Sequence, residues 1–319
     1  MRNKRMKRFF CVIIAMLLLA ASLSGCRTEK NDGVTDIVCT VFPIYDWTEN
    51  VIGDESEDIS LSLIVKNGTD PHSYSPTPAD IAKISSCDVL IYVGGESDAW
   101  VSDVLRGEVN EDMRVIRLID TVSGESAAEG HEGHDHAHTE TAYDEHIWLS
   151  LKNAKLLCRT ISDGLCEAMP ERAEDIRVNL GKYLSEIDSL DRSYSDAVLD
   201  GERDTLLFAD RFPFGYLVED YGLKYYAAFE GCSTDSEASF ETVTFLAKKL
   251  RELSLDYVII LENSDRALAD TVIAGSQTSG VSILIMNSMQ SITETDIEKG
   301  TTYLGIMRQN LSILKLALA

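Results

Sequence analysis

The chain has six histidines and none of them lies beyond His146, so its second half offers no imidazole to any chemistry. It contains no Cys-x-x-Cys pair, which excludes a cysteine zinc knuckle. It also lacks His-Glu-x-x-His, Gly-x-Ser-x-Gly and a Walker loop, the local signatures of zinc proteases, serine hydrolases and P-loop NTPases. Its histidine-rich stretch does not read His-x-His-x-Asp-His, because the aspartate would have to stand at His138. The cysteines past Cys26 are Cys39, Cys87, Cys158, Cys166 and Cys232, an odd set without close pairing and hence no disulfide scaffold. Cys158 and Cys166, eight apart on an expected helix, are too distant to bridge.

Basic residues are scarce as well: 29 Lys and Arg stand against 53 Asp and Glu. Five of the basic residues (Arg2, Lys4, Arg5, Lys7, Arg8) crowd the start, and the remaining 24 against 53 leave a balance of −29. That charge argues against nucleic acid and against adsorption to anionic headgroups. It suits attraction of cations, although an acidic surface is also simply a soluble one.

One apolar run, Phe9 to Leu19, is short of the ~20 residues a spanning helix needs. The basic start, this run and the small residues after it have the layout of a signal peptide. The segment closes on Leu23-Ser24-Gly25-Cys26, which resembles a bacterial lipobox. Cleavage before Cys26 and a lipid on its sulfur are what that resemblance implies; each buried CH₂ of such a chain contributes ~0.8 kcal/mol. The expected layout is a signal peptide over 1–25, a polar tether over 26–34, an α/β lobe over 35–168, a linking helix over 169–201 and a second α/β lobe over 202–319.

Periodicity supports the two lobes. Strands are expected over 36–42, 59–65, 89–93 and 114–118, alternating with helices over 44–52, 78–85 and 99–106, the pattern of a parallel α/β sheet. Pro43 is read as ending the first strand. Residues 121–145 hold almost nothing apolar and read as a mobile loop. From Pro170 to Leu199, apolar residues recur at three and four (Ala173, Ile176, Leu180, Tyr183, Leu184, Ile187, Leu190, Tyr194), one face of a single long helix. A second strand–helix series follows from Thr205 to Met286, and a helix near 303–318 closes the chain. A cleft between lobes is where ligand sites form.

The histidines fall in three places: His72; the cluster His131, His134, His136 and His138; and His146. His72 sits in Asp70-Pro71-His72-Ser73-Tyr74-Ser75-Pro76-Thr77-Pro78, between a strand and a helix, where the prolines stiffen its loop. A stiff loop at a strand's carboxyl edge suits a ligating imidazole, and a turn histidine without function reads equally well there. His146 follows Asp144-Glu145, whose carboxylates could accept the other ring N–H of a ligating imidazole; the plain alternative is a histidine at a helix start. Four histidines in eight residues are a compositional metal-binding signal, against the alternative of a spacer.

The stretches DPHSYSPTPADIAKISSCDVLIYVGG and DEHIWLSLKNAKLL together resemble the cluster A-I solute-binding proteins, the zinc and manganese receptors of ABC importers. The likeness continues through FADRFPFGYLVEDYGLKYYAAFEGCSTDSEASFETVTFL, IMNSMQS and TTYLGIMRQNL. It implies an α/β protein of two similar (βα)-type lobes joined by one long rigid helix, with the metal in the inter-lobe cleft. His72 and His146 match the family's N-lobe ligands. A third histidine is usual just before the Phe-Gly-Tyr matched by Phe214-Gly215-Tyr216. Here an ungapped alignment puts Arg211, and one inserted residue puts Asp210. A guanidinium cannot ligate a cation and a carboxylate can, so Asp210 is the expected ligand and Arg211 the partner of a nearby acid. The fourth position, usually acidic, falls on Asn287 or Gln290, with Gln290 preferred; water, Glu230, Glu237 or Glu262 are further candidates.

The resemblance also implies the partners, an ABC permease and its ATPase, and an auxiliary metal-gathering role for His131, His134, His136 and His138. Zn²⁺ is the expected cargo with Mn²⁺ as the alternative, since imidazole suits zinc better than manganese. The chain is expected to be a monomer with no enzymatic role. The competing classes are a zinc-dependent extracellular hydrolase and a surface adhesin of the same fold.

Overall fold

The computed structural model describes residues 33–53, 58–128, 144–231 and 238–319, apart from the side chains of 124–128 and of Glu230. Cys26, the cluster His131, His134, His136 and His138, and Cys232 and Glu237 lie outside the described residues. Within them, no helix is long and apolar enough to cross a membrane.

Two four-stranded parallel sheets form the frame. The first is built from β1 (Thr35–Cys39), β2 (Ile59–Leu63), β3 (Val89–Tyr92) and β4 (Arg114–Arg117), in the order β2-β1-β3-β4. The second uses β5 (Thr205–Phe212), β6 (Lys224–Glu230), β7 (Tyr257–Leu261) and β8 (Ser282–Met286), in the order β6-β5-β7-β8. Each lobe thus repeats one winding scheme. The helices are α1 (Phe42–Ile52), α2 (Pro78–Ser86), α3 (Ala99–Leu105), α4 (Ile119–Ala128), α5 (Leu151–Ala168), α6 (Ala173–Leu199), α7 (Gly215–Tyr221), α8 (Phe240–Glu252), α9 (Ala267–Ser276), α10 (Glu294–Glu298) and α11 (Tyr303–Leu318).

Two local expectations are corrected. Pro43 does not end a strand: it sits in the first turn of α1, which starts at Phe42. Proline is favoured there, because its missing N–H has no partner in a first turn anyway. The stretch read as loop from 121 begins instead as helix α4, which runs to Ala128. Its start is anchored by the buried Ile119 and Val122, two apolar residues three apart ahead of the polar run.

The central strands are buried on both faces. In β5, Leu206 and Phe208 join the main core, whereas Leu207 and Ala209 join a second cluster under α8 and α9. Strand β7 alternates likewise, Ile259 and Leu261 against Val258 and Ile260. The main core does not stop at the lobe boundary. It runs from Ile37 and Trp47 in the first lobe through Tyr183 and Tyr194 of α6 to Phe214, Tyr303 and Leu318 in the second. Thr35–Ala319 is accordingly one compact unit.

Helix α6 is pinned to both lobes. The Tyr183 hydroxyl donates to Asp46 Oδ2 in α1 at 3.0 Å, and the Tyr194 hydroxyl donates to the Met307 carbonyl in α11 at 2.7 Å. Asp46 is a knot of three helices, because its Oδ1 also accepts the Tyr303 N–H that opens α11, at 3.1 Å. Burial pushes the Asp46 carboxyl up to about 6, against the opposing pull of the Tyr303 N–H and the Tyr183 hydroxyl.

A carboxyl raised on folding stabilises the fold below its unfolded pKa of about 4, and that contribution is lost as pH rises through about 6. Asp46→Asn removes this titration. The stability difference between wild type and Asp46→Asn is expected to move by about 2–3 kcal/mol in the variant's favour between pH 4 and pH 7. Urea unfolding at both pH values measures it, and a difference that does not change with pH rules out Asp46 as the source.

Candidate metal centre

The site lies at the carboxyl ends of strands from both sheets, where parallel α/β sheets place their ligands. His72 follows β2 in a single 3₁₀ turn, Pro71–Ser73. The Asp70 carboxylate caps that turn by accepting the His72 N–H at 3.0 Å. Beyond it, Thr77 and Asp80 form a reciprocal capping box at the start of α2, with Pro78 in the first turn. The imidazole is therefore mounted between two capped turns. His146 is almost wholly buried, and its ring packs edge-on to Trp148 with centroids 5.3 Å apart. The Trp148 indole N–H reaches into the second lobe and donates to the Ser288 carbonyl at 2.9 Å.

The two adjacent acids before His146 divide between the histidines. Asp144 Oδ1 lies 2.7 Å from His146 Nδ1, and Glu145 Oε1 lies 3.0 Å from His72 Nδ1. Glu145 is buried and its other oxygen accepts both the N–H (2.9 Å) and the hydroxyl (2.7 Å) of Ser97. Burial alone would raise its carboxyl, but His72 and Ser97 hold it down at about 2. For His72, burial works to lower the imidazole, and the Glu145 hydrogen bond and charge raise it net. Glycine is required at position 95 for this approach, because a Cβ there would stand 2.3 Å from Glu145 Oε2.

With each Nδ1 turned to a carboxylate, each Nε2 presents its lone pair to the same point. The two Nε2 atoms are 3.3 Å apart. Two nitrogens bound tetrahedrally to zinc at 2.0–2.1 Å stand ~3.3 Å from each other, so the spacing is that of a chelating pair. Carboxylates behind ligating imidazoles are the usual means of fixing ring orientation and raising basicity.

The third member comes from the second lobe. The Gln290 amide nitrogen lies 2.7 Å from both Nε2 atoms. Gln290 is carried by the loop after β8, and that loop is held at every step. Asn310 of α11 accepts the Asn287 N–H (2.9 Å) and donates to its carbonyl (2.8 Å); Asn287 Oδ1 accepts the Met289 N–H (2.7 Å); Glu262 Oε2 accepts the Ser288 N–H (2.7 Å). Met289 is left-handed at φ 63°, a conformation a methionine keeps only where its surroundings dictate it. Beside Gln290 opens a cleft of about 140 Å³, lined in part by Asp70, Arg211, Glu262 and Ser264.

Residues 37–317 match the model of the family ZnuA, zinc-uptake complex component A, periplasmic. The chain belongs to this family. It is 27% identical over 98% of its length to the high-affinity zinc uptake system protein ZnuA of Bacillus subtilis, covering 97% of that protein. It is 31% identical over 93% of its length to the zinc-binding lipoprotein AdcA of Streptococcus pneumoniae. The chain spans 59–62% of the length of the streptococcal relatives it matches. Among solved structures, the Zn(II)-bound ZnuA-like domain of Streptococcus pneumoniae AdcA superposes with a TM-score of 0.72 at 28% identity, over 90% of this chain and 99% of that one. The fold expected from the resemblance, two similar lobes with a long central helix, is the fold of this family.

Of the expected site residues, His72, His146 and Gln290 are brought together and Asp210 is not. Both Asp210 oxygens are engaged by main chain: Oδ1 accepts the Arg211 N–H at 2.8 Å and Oδ2 the Leu261 N–H at 2.9 Å. The physical reason is that the Asp210 side chain ties β5 to β7: Leu261 lies in β7, beyond the Phe208–Ile259 pair that joins the two strands. Arg211 meets Asp70 across the cleft at 3.2 Å. Among the described residues, no group of three His, Cys, Asp or Glu side chains converges on a point. Glu262 stands behind Ser288, and Asn287 is used within its own loop. The roles of Ser97, Ser288 and Asn310 escaped the sequence reading, as did the pairing of Glu145 with His72, although Gly95 was a usable signal for a close approach.

Asp210→Ala is expected to lower stability by about 1–3 kcal/mol through its two orphaned main-chain donors. Dication affinity should change little. Glu145→Gln should do the reverse, weakening dication binding about 10–100-fold. Denaturation and competition titration of both variants check the pair; a large affinity loss in Asp210→Ala would restore it as a ligand.

Proposed function

We propose that this chain is the extracytoplasmic receptor of a zinc-uptake system, which binds a divalent transition metal and hands it to the permease of an ABC importer powered by its ATPase. One observation carries the reading: two imidazole Nε2 atoms 3.3 Å apart, each backed by a carboxylate on Nδ1. Family membership and the names of the B. subtilis and S. pneumoniae relatives support zinc as the cargo. Imidazole donors also suit zinc better than manganese. The ligands are His72, His146 and an oxygen donor from the second lobe; the nearness of the Gln290 amide to both rings supports Gln290 in that role, and the main-chain bonds of Asp210 speak against Asp210.

Cys26 carries the lipid that holds the receptor at the outer face of the cell membrane, in keeping with the lipoprotein name of the pneumococcal relative. His131, His134, His136 and His138 gather metal for the site. The receptor acts as a monomer in which 35–168 and 202–319 are the lobes and 169–201 the linker. No bond is made or broken: the metal is cargo.

A His72→Ala/His146→Ala double variant is expected to lose tight, one-to-one zinc binding in calorimetry, while the wild type prefers Zn²⁺ to Mn²⁺. Unchanged stoichiometric binding in the double variant would sink the proposed site. Turnover of an ester, amide or phosphate substrate would replace the receptor reading with the hydrolase one.

A further inference from the structure

We infer that the start of α7 in the second lobe, Gly215 and Tyr216, positions Asp144 and through it the His146 ring, so that one of the two imidazoles is aimed from across the lobe boundary. Both act through Asp144 and are positioning residues. This rests on the metal-receptor reading and names a determinant of the affinity of that site.

The two acids behind the imidazoles are held in different ways. Glu145 is 3% exposed, and Ser97 and Gly95 of its own lobe fix it. Asp144 is 30% exposed, so burial does not lock its carboxylate. Its Oδ1 serves His146 twice, accepting the main-chain N–H at 3.0 Å and facing ring Nδ1 at 2.7 Å. A half-exposed carboxylate swings unless a neighbour stops it, and the neighbour comes from the second lobe. A Cβ on Gly215 would stand 3.0 Å from Asp144 Oδ2, so the main chain of α7 lies close against that oxygen. The Tyr216 hydroxyl donates to the Asp144 carbonyl at 3.0 Å. One residue of α7 thus limits the Asp144 side chain, and the next holds its main chain.

Helix α7 is itself fixed. Phe214, just before it, is wholly buried and stacks on Phe208 of β5 with ring centroids 5.5 Å apart. At the far end, Asp220 Oδ2 accepts the Ser150 hydroxyl at 2.6 Å, and the Asp220 carbonyl accepts from Lys152 Nζ at 2.9 Å. Ser150 caps α5 directly after the turn that follows His146. The Tyr221 hydroxyl donates to Asp191 of α6 at 2.8 Å. The segment from Asp144 to Lys152 is therefore held by α7 at both ends, with His146 between them.

The glycine at 215 gains a reason from this contact. Glycine is a poor helix former and alanine the best. What alanine would gain in α7 it would lose at Asp144, whose carboxylate would have to give way by a few tenths of an ångström. That carboxylate aims the His146 ring, and a ligating ring misdirected by its supporting acid binds metal less well. Stability and metal affinity then move in opposite directions on Gly215→Ala, which a merely structural role would not produce.

The test uses the full chain as wild type, Gly215→Ala, Tyr216→Phe and Asp144→Ala, and the first two variants each combined with Asp144→Ala. Zn²⁺ affinity is read by competition titration, stability by thermal unfolding without metal, and the His146 ring by its ¹⁵N signals without metal. Gly215→Ala and Tyr216→Phe are expected to weaken Zn²⁺ binding about 5–10-fold, and Asp144→Ala about 10–100-fold. Gly215→Ala should melt no lower than wild type, and both single variants should shift the His146 signals. The losses should not multiply: each double variant should bind Zn²⁺ as Asp144→Ala does, because the group that Gly215 and Tyr216 position is gone. Single variants within about twofold of wild type, unmoved ring signals, or losses that multiply in the double variants overturn the inference and leave the receptor reading intact. So does an Asp144→Ala variant that binds Zn²⁺ like wild type. A wild type that binds no Zn²⁺ overturns the receptor reading, and ring signals that still shift in the single variants uphold the positioning of His146.

Discussion

Two imidazoles can aim lone pairs at one point only if each gives the hydrogen of its other nitrogen to something else. In this chain the consecutive acids Asp144 and Glu145 do that for both rings, although His72 and His146 are 74 residues apart in sequence. Much of the architecture follows from that demand. Glu145 must be buried to reach His72, so it needs Ser97 to satisfy its second oxygen and Gly95 to make room. A buried carboxylate without such partners would be costly. Here it is held ionised at neutral pH by the groups it touches.

The same short segment also draws the lobes together. Trp148, two residues beyond His146, donates to the loop that carries Gln290, and its carbonyl accepts the Tyr303 hydroxyl at 2.7 Å. The N–H of Tyr303 is in turn held by Asp46, which also binds Tyr183 of the long helix. Site and frame thus share residues, and the main core runs unbroken through both lobes. A frame built this way has little freedom to swing open, and the Arg211–Asp70 pair spans the cleft besides.

In the proposed metal centre, the charge that would offset the cargo lies behind the imidazoles, on Asp144 and Glu145. Carboxylates in that position raise the donor strength of the rings. Affinity in that centre is expected to depend on these hydrogen-bonded neighbours, which never touch the metal.

Secondary structure and the histidine mounts were legible because they are local. Alternating apolar strands, a helical stripe from Ala173 to Val198, and proline-stiffened turns at His72 are written in consecutive residues. Pro43 misled only about which side of a boundary it occupied, since proline both ends strands and opens helices. The second-lobe donors were legible in part. Gln290, preferred at its position, does reach the histidines, whereas nothing along the chain says that Asp210 spends both oxygens on main-chain N–H groups of β5 and β7. Nor does it say which acid serves which imidazole. The sequence by itself determined the donors available and the elements that carry them. Only the tertiary structure decided which donors meet, because directions of side chains from eight strands become comparable only once the two sheets share one core.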